Sequence, residues 1–186
     1  MIGKKNIVFG FLYLVLTAAL GPYMVKAVLP DIATAETARR DHMAKLQLMA
    51  SNGFEADLEP LTAGDIARRN AGAILALNSQ LGMQEKLNAI KGGPHAHGNL
   101  EALLNIAAGL CLVFIAVAPL FKHIISSLFL LGTLLHSGML YLTIVFDLPW
   151  AGQVLSTGIG PVMLLAGLLL IGVAAAIGFR GQPVVP

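Results

Sequence analysis

The sequence predicts an all-α membrane protein: a four-helix transmembrane bundle with an extramembrane helical hairpin between the first and second membrane helices. Three observations predict it. Only 12% of the 186 residues are charged, whereas a soluble domain has about 25%. Four apolar runs are each long enough to cross about 30 Å of hydrocarbon as a helix. The segment 31–93 holds seven of the 12 basic residues and eight of the 10 acidic ones.

The first apolar run covers about residues 6–29 and is predicted to be the first transmembrane helix, within a first segment 1–30. Two lysines precede it and a Thr-Ala-Ala motif stands at 17–19, a combination that also resembles a signal peptide. Because the apolar stretch continues past that motif, beyond a usual signal core, we expect the helix to be retained. Pro22 is expected to kink it, and Pro30 to end it.

Three further apolar runs cover about residues 100–121, 124–146 and 154–179, so the segment 99–186 is predicted to be a three-helix transmembrane unit. With four crossings, basic residues near the membrane ends fall on one side, which such residues mark as cytoplasmic. We therefore expect an integral protein of a bacterial inner membrane, with both termini in the cytoplasm and 31–98 outside. The residues concerned are Lys4, Lys5, Lys122, His123 and Arg180.

The segment 31–98 is predicted to be an outward-facing helical hairpin. Good helix formers occupy 31–51, Asn52-Gly53 interrupts them, and Thr62 is suited to cap a second helix. Gly92-Gly93-Pro94 is expected to end that second helix. The hairpin is expected to pack on the outer loops or on a partner, and lying flat on lipid is the alternative.

Composition excludes several classes of function. A net charge of +2 is too small to predict a nucleic-acid-binding surface. The single cysteine, Cys111, rules out an intrachain disulfide and a cysteine-based zinc or iron–sulfur motif. The partners that remain are the lipid bilayer and other membrane subunits, as a homo-oligomer or a larger complex.

Polar side chains in the second run predict a site inside the membrane. His97, Glu101 and Asn105 are four residues apart and share one helical face, with His95 just before them. An ionisable or amide group inside an apolar span is costly unless it faces a partner or a cavity. Each residue also has an alternative role without a functional site. The histidines would lie in an interfacial loop, Glu101 at a rim in contact with water, and Asn105 would form a hydrogen bond to a neighbouring helix.

The third run has a second polar face, formed by Thr133, Ser137 and Tyr141, with His136 about 100° away. A buried histidine is often simply hydrogen-bonded in the core. A neutral imidazole is equally a ready ligand for haem or a metal. The sequence leaves both interpretations of His136 open.

Depth estimates set an expectation for how these groups meet. Counted from residue 146 at 1.5 Å per residue, Tyr141 lies about 7 Å deep and His136 about 15 Å deep. Asn105, counted from residue 100, is also about 7 Å deep, so that Asn105 and Tyr141 can meet at one level. His97 and His136 would differ in depth by about 15 Å or more, so one haem iron could not take both from straight helices.

The run His95-Ala96-His97-Gly98-Asn99 resembles the His-Ala-His-x-Asn signature of small membrane proteins related to the catalytic subunit of haem–copper oxidases. The stretch Glu101 to Asn105, followed by an Ala/Gly-rich helix, resembles hydroxylaminobenzene mutase and styrene oxide isomerase, which are short four-helix membrane proteins. Ser137 and Tyr141 match the spacing of a polar residue and a tyrosine in the isomerase's third helix. The resemblance covers about fifty residues of the second and third helices.

This resemblance implies a b-type haem with His97 as its metal ligand. It further implies a pocket lined by Glu101, Asn105, Ser137 and Tyr141, and we assign Glu101, Asn105 and Tyr141 as catalytic candidates. His136 and Ser137 join His97 as candidate cofactor-binding residues. The bound iron would serve redox or Lewis-acid chemistry on a small apolar molecule.

Two other functions stay open. One is a non-catalytic membrane subunit whose 31–93 hairpin docks a partner. The other is a small transporter or channel with Glu101 and His136 in a proton path. The sequence alone therefore leaves open whether the chain is an enzyme.

Overall fold

The computed structural model describes residues 2–56 and 59–184, most of which are helical. Three π-helical segments join successive α-helices: π1 Met24–Val28, π2 Lys91–His95 and π3 Leu134–Gly138. Two short strands, β1 Glu55–Ala56 and β2 Glu59–Pro60, pair antiparallel. The α-helices are α1 Lys4–Ala18, α2 Leu20–Tyr23, α3 Leu29–Ser51, α4 Ala63–Ile90, α5 Ala96–Phe114, α6 Pro119–Thr133, α7 Met139–Ile144, α8 Pro149–Ser156 and α9 Ile159–Gly178.

Four helical stretches of the described chain are long and apolar enough to cross a membrane. This number of candidate spans fits an integral membrane protein and confirms the number predicted from the sequence. The stretches are Lys4–Ser51, Ala63–Phe114, Pro119–Ile144 and Ile159–Gly178.

The expected helix end at Pro30 is wrong, because the first helical stretch continues to Ser51. Pro30 is the second residue after π1, so the helix continues through a proline that donates no backbone hydrogen bond to the preceding turn. The break predicted at Asn52-Gly53 is confirmed. At Gly92-Gly93-Pro94 the predicted helix end is wrong, because the helical stretch Ala63–Phe114 continues through these residues with a kink. α3 ends at Ser51, and Gly93 in π2 has non-helical dihedrals of −86° and −107° that kink the chain.

The described chain divides into two compact units, residues 2–22 with 89–184, and residues 23–88. In the first unit, α1 packs along α5 and α6 packs along α9. Glycine permits the first of these approaches, because a Cβ at Gly10 would lie 2.7 Å from the carbonyl oxygen of Ala102. The core of this unit comprises Ala108, Leu112, Ile115, Ile125, Phe129, Leu164 and Ala174.

Two backbone hydrogen bonds join residues 114–116, at the end of α5, to residues 178–180, at the end of α9, and this pair of segments is called the backbone strap. Ala116 N donates to the carbonyl of Gly178 at 2.7 Å, and Arg180 N donates to the carbonyl of Phe114 at 2.8 Å. The two segments satisfy backbone groups that the ends of α5 and α9 would otherwise leave open. Gly178 sits too close to Ala116 for a side chain, since a Cβ there would lie 2.7 Å from the Ala116 oxygen.

The second unit consists of π1, α3, the two strands and α4 up to residue 88. Thr62 caps α4 as predicted, accepting a hydrogen bond at 3.1 Å from the backbone N–H of Asp65. Within α3 and α4 few side chains of this unit are buried, Met49 and Ala73 being the buried apolar ones. Large apolar side chains of α4 are exposed instead, namely Ile74, Leu75, Leu77 and Leu81.

Candidate metal centre

Glu101, on the first turns of α5, is buried with 3% of its surface exposed. One carboxylate oxygen, Oε1, lies 2.5 Å from Nδ1 of His136. The other, Oε2, accepts a hydrogen bond from Oγ of Ser137 at 2.6 Å. Both oxygens are therefore held by neighbouring side chains on a different helix, which satisfies a carboxylate that burial would otherwise penalise.

His136 and Ser137, which contact the two oxygens of the same carboxylate, both lie in the π-helical segment π3. Side chains of adjacent residues in an α-helix diverge by about 100°. The wider π-turn changes that angle locally, and such bulges are frequent at functional sites. α9 approaches π3 closely, because a Cβ at Gly160 would lie 2.6 Å from the backbone nitrogen of His136.

Tyr13 extends the contacts of Glu101 to α1. Its hydroxyl lies 3.0 Å from Oγ of Ser137, and both side chains are buried. A serine hydroxyl carries one proton, so when Ser137 donates to Glu101 it is Tyr13 that donates to Ser137. The two consecutive hydrogen bonds, from Tyr13 to Ser137 and from Ser137 to Glu101, fix the second oxygen of the carboxylate.

His97 completes a cluster of three possible metal ligands. Its ring lies 5.0 Å from that of His136, centroid to centroid, at an interplanar angle of 67°. One ligand atom from each of His97, Glu101 and His136 lies within 4.8 Å of the others. His97 is exposed and His136 is partly buried, so the cluster is accessible from the His97 side. Among the described residues the ring of His97 has no hydrogen-bond partner.

The predicted separation of about 15 Å in depth between His97 and His136 is therefore wrong. It assumed that residues 100 and 146 mark the same membrane boundary. The helical stretch that contains α5 instead begins far before residue 100, and π2 packs beside α7. A Cβ at Gly93 would lie 2.9 Å from Cδ1 of Ile144. The third helix therefore runs alongside residues that precede His97, which brings His136 level with His97.

Asn105 lies one turn beyond Glu101 on α5 and is fully buried. Its amide nitrogen donates to Oγ1 of Thr133 at 2.9 Å and to the carbonyl of Glu101 at 3.0 Å. Its Oδ1 accepts from Nδ2 of Asn6 at 3.1 Å. Asn6 is in turn tied to Ser126, whose hydroxyl donates to Asn6 Oδ1. Asn105 is thus part of a buried hydrogen-bond network that joins α1, α5 and α6.

The level predicted for Asn105 and Tyr141 is also wrong. Asn105 contacts Thr133, which is eight residues, or about two helical turns, before Tyr141. Tyr141 is partly buried and its ring lies 5.7 Å from that of Phe146. The structure therefore brings His97, Glu101, His136 and Ser137 together, and places Asn105 and Tyr141 on either side of them along the helices.

The other histidine of the motif, His95, has a different environment. Its Nδ1 lies 3.0 Å from the carbonyl oxygen of Thr17. The hydroxyl of Thr17 also donates to Oδ1 of Asn99 at 2.8 Å. His95 and Asn99 therefore fasten α1 to the start of α5, while His97 points to the metal-ligand cluster.

Sequence reasoning missed the contribution of α1 to the site. Asn6, Tyr13 and Thr17 are buried and hydrogen-bonded to α5, α6 or π3. Together with Gly10 they recur at intervals of four, three and four residues, which places them on one helical face. Polar residues at that spacing inside an apolar run are the signal that identifies such a face.

Comparison of the chain with protein-family models, with curated proteins and with solved structures finds no match. The resemblance of the His95–Asn105 run to haem-containing and isomerase families therefore stays a prediction.

Proposed function

We propose that this chain is a membrane metalloprotein that holds its metal at His97, Glu101 and His136 and acts on a small apolar molecule. The observation that carries the proposal is the convergence of two imidazoles and one carboxylate within 4.8 Å in an otherwise apolar part of the chain. Two histidines and a carboxylate are a ligand set of catalytic zinc sites and of non-haem iron oxygenases. A metal so bound supplies Lewis-acid or redox chemistry.

The hydrogen bond between His136 and Glu101 supports the assignment further. A metal-binding histidine commonly donates one ring N–H to a carboxylate, which fixes the tautomer and leaves the other nitrogen for the metal. His136 Nδ1 lies 2.5 Å from Glu101 Oε1, which is the contact that such a hydrogen bond makes. The remaining nitrogen, Nε2, is then the donor atom, and Glu101 orients the ring or supplies an oxygen ligand.

The distances between the ligand atoms show how far they would have to move to bind one metal ion. Ligand atoms bound to one ion at about 2.0–2.2 Å lie roughly 3.0–3.5 Å apart. One ligand atom from each residue now lies within 4.8 Å of the others, so these atoms would have to approach one another by roughly 1 Å to bind a single ion. His97, which is exposed and has no hydrogen-bond partner among the described residues, is the ligand able to make this movement. Binding through Nδ1 of His136 would instead break its hydrogen bond to Glu101.

The sequence resemblance favours a b-type haem as the bound group, and His97 would be the residue that holds it. Two axial imidazoles on one iron, bonded at about 2.0 Å, have ring centres roughly 6 Å apart with the flat macrocycle between them. The rings of His97 and His136 are 5.0 Å apart and edge to face. A haem would therefore take one histidine, and Glu101, Ser137 and His136 would form the polar wall beside it.

The test is metal content and absorption of the detergent-purified chain, together with the single variants His97→Ala and His136→Ala. We expect about one metal per chain in the wild type and its loss in both variants if a bare ion is bound. A haem gives a Soret band that His97→Ala removes. His123→Ala, which changes an exposed histidine outside the cluster, is the control and should change neither quantity. A colourless wild type without bound metal, even after incubation with zinc, iron or haem, would refute the proposal.

A second candidate function is a membrane subunit in a homo-oligomer or larger complex. It is supported by the exposed apolar side chains of α4 and by the scarcity of buried ones in residues 23–88. Helices this poorly covered gain stability from a partner surface. The test is the molecular mass of the detergent-solubilised protein with and without Leu77→Ser and Leu81→Ser. A monomer in the wild type, with no partner co-purified from membranes, would exclude this function.

A further inference from the structure

A second feature of the first unit lies at the end where α1 and α6 begin, away from the metal-ligand cluster. A groove of about 540 Å³ is lined there by two lysines, a histidine and two apolar side chains. The lysines and His123 are exposed. The lining residues are Ile2, Lys4, Lys5, Val8 and His123.

The charges in this groove are not neutralised within the described part of the chain. Among the described residues the ion pairs are Arg40–Glu36, Arg68–Asp65 and His136–Glu101. None of them involves Lys4 or Lys5. The neighbouring Lys122 behaves differently, because it is buried and donates its Nζ proton to the carbonyl of Leu112 at 3.0 Å. Two free ammonium groups therefore face the groove.

A second depression continues from the same histidine. It has a volume of about 290 Å³ and is lined by His123, Ile124, Ser127, Leu128 and Met163, on α6 and α9. Except for His123 and one serine its walls are apolar. The cationic groove thus has an apolar wall on α1, at Val8, and an apolar trough between α6 and α9.

We propose that this groove is a binding site for an anionic phospholipid. Its phosphate would lie against Lys4, Lys5 and His123, one acyl chain would follow Val8 on α1, and the other the trough by Ile124, Leu128 and Met163. Basic pockets between membrane helices on the cytoplasmic side recognise anionic headgroups in this way. Both depressions contain apolar side chains and share His123, so a headgroup bound by the lysines would have two apolar surfaces beside it for its two acyl chains. A free phosphate ion would contact only the basic side chains and not the apolar ones.

The test is lipid binding to the delipidated, detergent-purified full chain, measured by native mass spectrometry with phosphatidylglycerol and phosphatidylcholine. Each lysine near a membrane surface strengthens binding of an anionic lipid by about fivefold. We therefore expect phosphatidylglycerol to bind about 25-fold more tightly than phosphatidylcholine, and Lys4→Gln with Lys5→Gln to abolish the difference. Lys45→Gln with Lys86→Gln removes the same charge from exposed positions in the second unit and should leave the preference intact.

A second variant keeps the test decisive, because Lys4 and Lys5 also contribute to the orientation of the chain in the membrane. Val8→Trp fills the groove without altering its charge and should weaken phosphatidylglycerol binding about tenfold or more. Equal affinity of the wild type for both lipids would overturn the proposal. So would complete displacement of phosphatidylglycerol by millimolar inorganic phosphate, since that result identifies a phosphate site without acyl-chain recognition.

Discussion

Nδ1 of His136 lies 2.5 Å from Oε1 of Glu101, although 35 residues separate them and they belong to different helices. The contact places a carboxylate and an imidazole together in the apolar interior, where neither is stable alone. Ser137 and Tyr13 then fix the other carboxylate oxygen. This arrangement makes the position of the His136 ring dependent on Glu101, and four predictions follow from it and from its surroundings.

The first prediction concerns Glu101→Gln. The amide keeps the size of the side chain but lacks the charge that stabilises the His136 N–H. We expect the affinity for Co²⁺, followed by its visible absorption, to fall about 10–100-fold. Glu85→Gln, on the exposed surface of α4, is the matched control and should leave the affinity unchanged. An unchanged affinity in Glu101→Gln would show that Glu101 neither orients the His136 ring nor binds the metal.

The second prediction concerns ligand-linked stability. A metal that binds the native state alone, at about 100 times its dissociation constant, raises the free energy of unfolding by about 2.7 kcal/mol. We expect Zn²⁺ to raise the melting temperature of the wild type in detergent and a chelator to reverse the shift. His136→Ala should show no such shift. A shift of equal size in that variant would place the metal elsewhere in the chain.

The third prediction concerns Asn105→Leu, which removes hydrogen bonds to Asn6 and Thr133. Each buried polar group left unpaired costs about 1–3 kcal/mol, although single hydrogen bonds between membrane helices average about 0.6 kcal/mol. We expect a loss of about 1–3 kcal/mol in detergent unfolding, with metal affinity changed less than threefold. Asn78→Leu, exposed on α4, is the control. Loss of metal binding in a stable Asn105→Leu protein would instead assign Asn105 to the site itself.

The fourth prediction compares two glycines of α9. A Cβ at Gly160 would lie 2.6 Å from the backbone of His136, whereas nothing lies within 4 Å of a Cβ at Gly172. Backbone atoms cannot rotate away, so Gly160→Ala should cost about 1–3 kcal/mol and weaken metal binding by moving π3. Gly172→Ala should be neutral or stabilising by up to about 1 kcal/mol. Equal behaviour of both variants in unfolding would contradict the close packing of α9 on π3.

The helices were predictable from the sequence because a bilayer demands long apolar runs, and the four runs correspond to the four candidate spans. Their level relative to one another was not predictable. The position of His136 beside His97 depends on how far the second and third helical stretches extend past each other. Hydropathy reports the length of an apolar run and contains no information about that offset.

The candidate site was predictable in part for a related physical reason. Glu101 and His136 stand out as ionisable groups in apolar runs, and both are in the cluster. Ser137 and His136 were expected to face different directions, because an α-helical period was assumed where the chain forms π3. Nothing in the composition of Leu134–Gly138 marks a π-turn. Tyr13 and Asn6, by contrast, were readable as a polar face and were overlooked.

The backbone strap between residues 114–116 and 178–180 has a consequence for biosynthesis. Translation delivers α5 and α6 to the membrane before the partner carbonyl of Gly178 exists. Until then the backbone N–H of Ala116 lacks its acceptor in the finished protein. The corner between α5 and α6 can therefore reach its final form only after residues 178–180 have been synthesised, and a ribosome that stops before codon 178 releases a chain without these hydrogen bonds.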